Sequence, residues 1–212
     1  MTIDLAHELK NKDYDKFLAV GFAPLHLRQA LAALFTLHIE ISNIPVEVSE
    51  SMVGHVKIQW WRDVITEVME GKPYRPHPIL QAMKGHEIEF SRLLKMLDRY
   101  DEVLENKLPD RFEELKAFLL DTEVAILEIA AKLLGVEFNQ NIALSYAYNH
   151  MARRLAGKND AFSGKLFEES RAALPPVKSS VFGGIAGFYN KKPTAPRWKL
   201  AFSLLAGRRE LL

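Results

Sequence analysis

A cluster of four basic residues in the second half of the chain could bind an anion. The cluster consists of Arg153, Arg154, Lys158 and Lys165. Guanidinium and ammonium groups form charge-assisted hydrogen bonds, so these residues would suit a phosphate, a lipid headgroup or an acidic partner. A solvated helix face is the more common use of such residues and is the favoured interpretation. If the protein binds a ligand, we nevertheless expect the binding site at this cluster.

The sequence QWWRD, residues 59–63, places two indoles beside a guanidinium and a carboxylate. These side chains could contact a ligand. Adjacent residues of a helix point about 100° apart, however, so we expect one of Trp60 and Trp61 to face the core and the other to face a neighbouring helix. Arg62 could pair with an acid inside the fold, since a guanidinium suits partly buried ion pairs, or it could contact a ligand.

The histidines do not predict a metal site. No two histidines have the i, i+4 spacing of helical zinc sites, although Glu87 and Glu89 stand beside His86. We expect no metal. The sequence also lacks cysteine, a P-loop, a dinucleotide fingerprint and a nucleophile elbow, which excludes thiolate catalysis and disfavours the corresponding nucleotide and hydrolase chemistries.

Apolar residues at spacings of three and four predict the helices that would position these side chains. The predicted helices cover residues 24–43, 52–70, 90–104, 112–135, 139–156 and 196–206. We expect the first to end near Ile44, because Pro45 disfavours helical dihedrals at the residue before it. No strand alternation persists, and no linker or repeat divides the chain. The sequence therefore predicts an all-α fold and a single domain, residues 1–212.

Charge is distributed unevenly along the chain. From Ser170 to the C-terminus there are eight Lys or Arg and one acid, although the whole chain has a net charge of +1. The region from Lys191 to Arg209 also contains Trp198 and several apolar residues, as an interfacial helix would. We expect contact with an anionic membrane surface or, equally, a terminal helix docked on the core. No stacking pattern for nucleic acid is present. A cytoplasmic location is expected, since no signal peptide or membrane span is recognisable, with peripheral attachment at the inner face of the membrane as a further expectation.

Several segments together resemble the squalene/phytoene synthase family. They are DYDKFLAVGFAPLHLRQALAALFTLHIEIS, VSESMVGHVKIQWWRDVI, EGKPYRPHPIL, LLDTEVAILEIAAKLLG and DAFSGKLF. The QWWRD segment and its surroundings resemble in particular the branch that includes complex I assembly factors and their bacterial relatives. The likeness implies a helical bundle of the isoprenoid-synthase type around a central cavity.

The family's chemistry depends on two acidic DxxxD motifs. Carboxylates four residues apart on one helix face share Mg²⁺ ions, which bind diphosphate oxygens of the substrate. In this sequence the first motif falls on neutral residues and the second retains one acid. The matching positions are Ser42, Asn43 and Val46 for the first motif and Ala156, Asn159 and Asp160 for the second. We expect Pro45 to keep Glu40 and Glu47 on different faces, so that they do not restore a metal site.

The resemblance therefore favours a noncatalytic protein that acts as an assembly factor or binds a lipid or isoprenoid, without a cofactor. Its implied partners are subunits or assembly intermediates of respiratory complex I, and a prenyl or lipid ligand. The expected ligand contacts are Arg62, Arg153, Arg154 and Lys165. The alternative is a divergent Mg²⁺-dependent prenyl-diphosphate transferase using Asp160, Arg154 and Glu40. A helical scaffold without a cavity is the third hypothesis.

Overall fold

The structure is a computed structural model that describes residues 5–72, 76–173 and Ile185. The described elements are all helical, which confirms the predicted all-α class. They belong to two compact units, Met1–Val136 and Glu137–Leu212. The single domain covering residues 1–212 stays a prediction. Within the described ranges, no helix has both the length and the apolar character required to cross a bilayer.

The first unit contains eight described α-helices. They are α1 (Leu5–Lys12), α2 (Tyr14–Phe22), α3 (Arg28–Glu47), α4 (Ser51–Met69), α5 (Pro78–Met83), α6 (Phe90–Asn106), α7 (Phe112–Leu119) and α8 (Ala125–Leu134). A 3-10 turn, Leu25–Leu27, precedes α3, and a π-helical turn, Leu120–Val124, joins α7 to α8. Helix α8 ends at Gly135, whose φ of 66° fits the predicted C-cap.

Helix α3 lies at the centre of the first unit. It contacts α1, α2, α4, α5, α6 and α8. Ten consecutive residues from Ala30 to Ile39 are buried, so the helix is covered on all sides over this stretch. The apolar row predicted from the sequence is therefore only part of its buried surface. Burial of this central helix supplies much of the hydrophobic stabilisation of the unit.

Three short helices of this unit were not predicted. Helices α1 and α2 contain 8 and 9 residues, and α5 contains 6 residues. Helices of this length are unstable alone and depend on tertiary packing, so their periodicity is a weak signal. The start of α2 has one local signal: the Asp13 side chain accepts a hydrogen bond from the backbone N–H of Lys16 at 3.1 Å.

The predicted end of α3 near Ile44 was wrong. The helix continues to Glu47 with Pro45 in its last turn, and the Val48 N–H donates to the carbonyl of Ile44 at 3.2 Å. Proline removes one donor, but near a helix end this loss affects few hydrogen bonds. Ile44 is 4% exposed, so packing of its side chain offsets the unfavourable dihedrals imposed by the proline.

The second unit contains α9 (Gln140–Leu155) and α10 (Asp160–Ala173), which pack against each other. Helix α9 agrees with the prediction, with Asn139 as its N-cap and Ala156 as its C-cap. Helix α10 was not among the helices predicted from the sequence. Ser145 and Ser170 donate to each other's backbone carbonyls at 2.7 Å, which satisfies both buried hydroxyls. The helix predicted at 196–206 lies outside the described residues.

Candidate functional site

A groove in the first unit lies along α3 and is bordered by α1 and α4. Its volume is about 450 Å³, within the range of small-molecule sites. We call it the α3–α4 groove. Its lining residues are Lys12, Glu40, Asn43, Ile44, Glu47, Val56, Lys57, Trp60 and Trp61. It thus combines an aromatic and aliphatic wall with both acidic and basic groups.

The three positions matched to the family's first acidic motif take different places around this groove. Asn43 lines it. Ser42 is 6% exposed, and its hydroxyl donates to the carbonyl of Ile39 at 3.1 Å. Val46 is 71% exposed. All three side chains are neutral, so none of the motif positions offers a carboxylate to the groove.

Glu40 and Glu47 both line the groove, which contradicts the expectation that they lie on different faces. Because α3 continues through Pro45, the spacings of Glu40, Asn43 and Glu47 are three and four residues, which places them on one helix face. The spacing was visible in the sequence. The assumption that proline must end the helix obscured it.

The protonation of Glu40 depends on this environment. Burial raises the pKa of its carboxyl above the usual value of 4.5. The positive charge of Lys12 opposes this rise, whereas the negative charges of Glu8 and Glu47 add to it. Lys12 also forms an ion pair with Glu8 at 2.6 Å, one turn away on α1. The groove therefore disfavours the ionised form of Glu40 relative to an exposed glutamate.

The aromatic wall contains Trp60 and Trp61. Trp61 is 5% exposed, so it occupies the core as expected for one of the pair. Its ring centroid lies 4.9 Å from that of Trp60 and 4.9 Å from that of His77, with edge-to-face geometry in both cases. Burial lowers the pKa of His77, although the charge of Glu8 acts in the opposite direction. Both tryptophans pack structurally and also border the groove.

Arg62 does not line the groove. Its guanidinium forms an ion pair with Asp98 and lies 3.8 Å from a carboxylate oxygen of Asp101, both on α6. Next to it, His55 lies 2.7 Å from Asp101 and 2.6 Å from Glu105 through its two ring nitrogens. These contacts join α4 to α6. A ligand contact by Arg62 stays a prediction.

The second unit contains the other predicted site residues. Asp160 accepts a hydrogen bond from the Gly157 N–H at 2.7 Å, and Asn159 accepts one from the Phe162 N–H at 3.2 Å. Both side chains thus organise the turn that follows Ala156. Arg154 and Lys165 are exposed, whereas Arg153 is partly buried. Catalytic or ligand-binding roles for these residues stay predictions.

Sequence reasoning missed a buried charge network in the first unit. Lys16 Nζ lies 3.1 Å from Asp13, 2.8 Å from Glu123 and 3.3 Å from His38 Nδ1. The other ring nitrogen of His38 lies 3.2 Å from the Tyr100 hydroxyl. Apart from the Asp13–Lys16 contact, which spans three residues, these contacts join residues far apart in the sequence, and this concealed the network. In the described part of the chain, this network included, no group of three or more His, Asp or Glu side chains is arranged to hold a metal ion.

Comparison with known proteins gives a consistent result. The squalene/phytoene synthase family profile matches residues 9–156. The "NADH dehydrogenase (ubiquinone) complex I, assembly factor 6" proteins of Rattus norvegicus and Homo sapiens are each 23% identical over 148 residues, 68% of this chain and 44% of theirs. The homologue of Drosophila melanogaster is 23% identical over 180 residues, 82% of this chain and 54% of its own.

The chain spans about half the length of these curated relatives or somewhat less. No solved structure gives a significant match. The family profile covers more than half of the chain and includes the α3–α4 groove and QWWRD. The chain belongs to the squalene/phytoene synthase family, whose fold is of the all-α isoprenoid-synthase type.

Proposed function

We propose that this protein is a noncatalytic family member that acts in the assembly of respiratory complex I. The observation that carries the proposal is the neutral character of Ser42, Asn43 and Val46, where active relatives need carboxylates for Mg²⁺. The proposal is also supported by the names of the curated relatives, which are assembly factors for that complex. Their identity to this chain is low, so the client is inferred as a class: subunits or assembly intermediates of complex I.

In this proposal the α3–α4 groove is a binding site for a prenyl or lipid group. Ile44, Val56 and the two tryptophans offer an apolar wall, and Lys12 and Lys57 offer cations for a polar head. No cofactor is required for such binding. Independently of the groove, the residues of the second unit that we expect to contact a phosphate are Arg153, Arg154 and Lys165.

The basic C-terminal region would complement this role at a membrane. Six Lys or Arg between residues 191 and 209 accompany Trp198 and Phe202. Basic and aromatic residues together favour the surface of an anionic bilayer. We propose peripheral attachment at the cytoplasmic face of the membrane, where assembly intermediates would be accessible.

The first test is incubation of the purified protein with labelled farnesyl or geranylgeranyl diphosphate and Mg²⁺. Binding without release of diphosphate is the expected result. Magnesium-dependent release would contradict the noncatalytic role. The assembly role needs a second test: deletion of the gene in its own host should reduce the amount of assembled complex I, and the intact gene should restore it. Normal complex I after deletion would contradict assembly.

A divergent prenyl-diphosphate transferase is the second candidate. It is favoured by the shared position of Glu40 and Glu47 on the groove, since two carboxylates and the Asn43 amide are oxygen ligands that fit Mg²⁺. When bound, Mg²⁺ would neutralise the diphosphate leaving group. Asp160 and Arg154 are the further residues proposed for this activity. If release is observed, Glu40→Gln, Glu47→Gln and Asp160→Ala should each abolish it, whereas the exposed Glu87→Gln should not.

A further inference from the structure

An exposed apolar patch adjoins the α3–α4 groove at the corner between its two helices. We call it the corner patch; it consists of Val46, Met52, Val53 and Val56, which are 71%, 70%, 47% and 64% exposed. Val56 also lines the groove beside Ile44 and Glu47, so patch and groove are continuous. Clustered exposed aliphatic side chains mark interaction surfaces, whereas single ones are ordinary.

The charges around the corner patch are mostly negative. Glu40 and Glu47 lie on its groove side, and Glu50 precedes the first residue of α4. Within the described part of the chain these three carboxylates form no salt bridge. The nearby cations are Lys57 and Lys12, and Lys12 is paired with Glu8. An acidic border would repel an anionic bilayer and attract a basic partner.

We propose that the corner patch, beside the groove, docks an amphipathic helix of a partner protein, with Lys or Arg residues beside its apolar face. The apolar side chains of such a helix would cover Met52, Val53 and Val56, and its basic residues would reach Glu47 and Glu50. Binding of an amphipathic helix in an apolar groove is an established recognition mode. The inference deepens the proposed assembly role by naming the surface that contacts a client, and it rests on that role.

Binding of two labelled synthetic helices to the full chain tests this surface. One helix carries Leu and Lys on opposite faces, and the other carries Leu and Glu. The wild-type protein should bind the Leu/Lys helix and bind the Leu/Glu helix at least about tenfold more weakly, as measured by fluorescence anisotropy. Equal binding of both helices would overturn the charge argument.

Matched variants test whether the helix binds at the corner patch or at other apolar and acidic parts of the surface. Met52→Ser/Val56→Ser should weaken Leu/Lys binding about tenfold, because it removes apolar contact area. The control is Met69→Ser/Val136→Ser. These two residues are 50% and 56% exposed and lie outside the corner patch, so binding should be unchanged. Likewise Glu47→Lys/Glu50→Lys should weaken binding, whereas Glu87→Lys/Glu113→Lys should not. An equal effect of patch and control variants would overturn the proposal.

Vesicles distinguish a protein partner from a membrane. Wild-type protein and the Met52→Ser/Val56→Ser variant are sedimented with vesicles of phosphatidylglycerol and phosphatidylcholine. The two proteins should sediment equally. If the variant loses vesicle binding, the corner patch is a membrane surface and the docking proposal fails. Failure on any of these tests would leave the effect of gene deletion on complex I unchanged, so the surface and the assembly role are judged separately.

Discussion

The ammonium of Lys16 lies 2.8 Å from a carboxylate oxygen of Glu123, and the two side chains are only 1% and 6% exposed. Asp13 provides a second carboxylate at 3.1 Å. Burial disfavours the charged ammonium, but the two negative charges more than offset this effect, so the pKa of Lys16 is raised above 10.5. The pair connects α2 to the π-helical turn before α8, and π-helical turns occur frequently at functional sites.

Replacement of Lys16 by Met should strongly destabilise the protein. The substitution leaves two buried carboxylates without their cation, and breaking a buried pair in this way typically costs about 3–5 kcal/mol. Urea unfolding monitored by circular dichroism measures the change in the free energy of unfolding. Lys95→Met is the control: Lys95 is 65% exposed and pairs with Asp121, so its loss should cost at most about 1 kcal/mol. Equal effects of the two substitutions would contradict a structural role for the buried pair.

Gly54 allows α4 to approach α6 closely. A Cβ atom at this position would lie 2.4 Å and 2.8 Å from the two terminal carbons of Leu104. Gly54→Ala should therefore displace the partly exposed Leu104 side chain, and after the gain in helix propensity the net cost should be about 0–1 kcal/mol in unfolding free energy. Gly21→Ala is a matched control in α2, since nothing lies within 4 Å of its added Cβ. It should be neutral or stabilise by about 0.4–1 kcal/mol. A stabilising Gly54→Ala would show that the contact is less close than described.

His55 joins α4 to α6 through hydrogen bonds whose strength depends on pH. Its hydrogen bonds with Glu105 and Asp101 raise its pKa above 6.5. In an NMR titration, Asp101→Asn/Glu105→Gln should lower that pKa, whereas the exposed Asp110→Asn should not. Because the folded-state pKa is the higher one, the stabilisation by His55 is complete below about pH 6.5 and is lost as the pH rises through the folded-state value. An unchanged titration in the double variant would contradict these contacts.

The long helices could be predicted from the sequence, but the contacts that define the site could not. Helices α4, α6 and α9 have sustained apolar periodicity and recognisable ends. Pro45 misled the prediction because burial of Ile44, which is a tertiary effect, decided the end of α3. The same tertiary packing brought Glu40 and Glu47 onto one groove. Lys16 and Glu123 are separated by more than a hundred residues, so local patterns contain no sign of their contact.

Glu40→Gln tests the electrostatics of the groove. Burial raises the pKa of Glu40 above 4.5, so the folded protein binds this proton more tightly than the unfolded chain does. Ionised Glu40 therefore destabilises the folded state, and the cost appears as the pH rises from 4.5 through the higher folded-state value. The variant should be more stable than the wild-type protein at about pH 7, and this advantage should decrease toward about pH 4.

Urea unfolding at both pH values measures this difference. Glu87→Gln is the control: Glu87 is exposed and does not line the groove, so its replacement should change stability little at either pH. If Glu40→Gln lowers stability at neutral pH, its carboxylate makes a favourable contact when ionised. In that case the charge of Lys12 outweighs burial at Glu40, and the description of the groove's electrostatics is wrong.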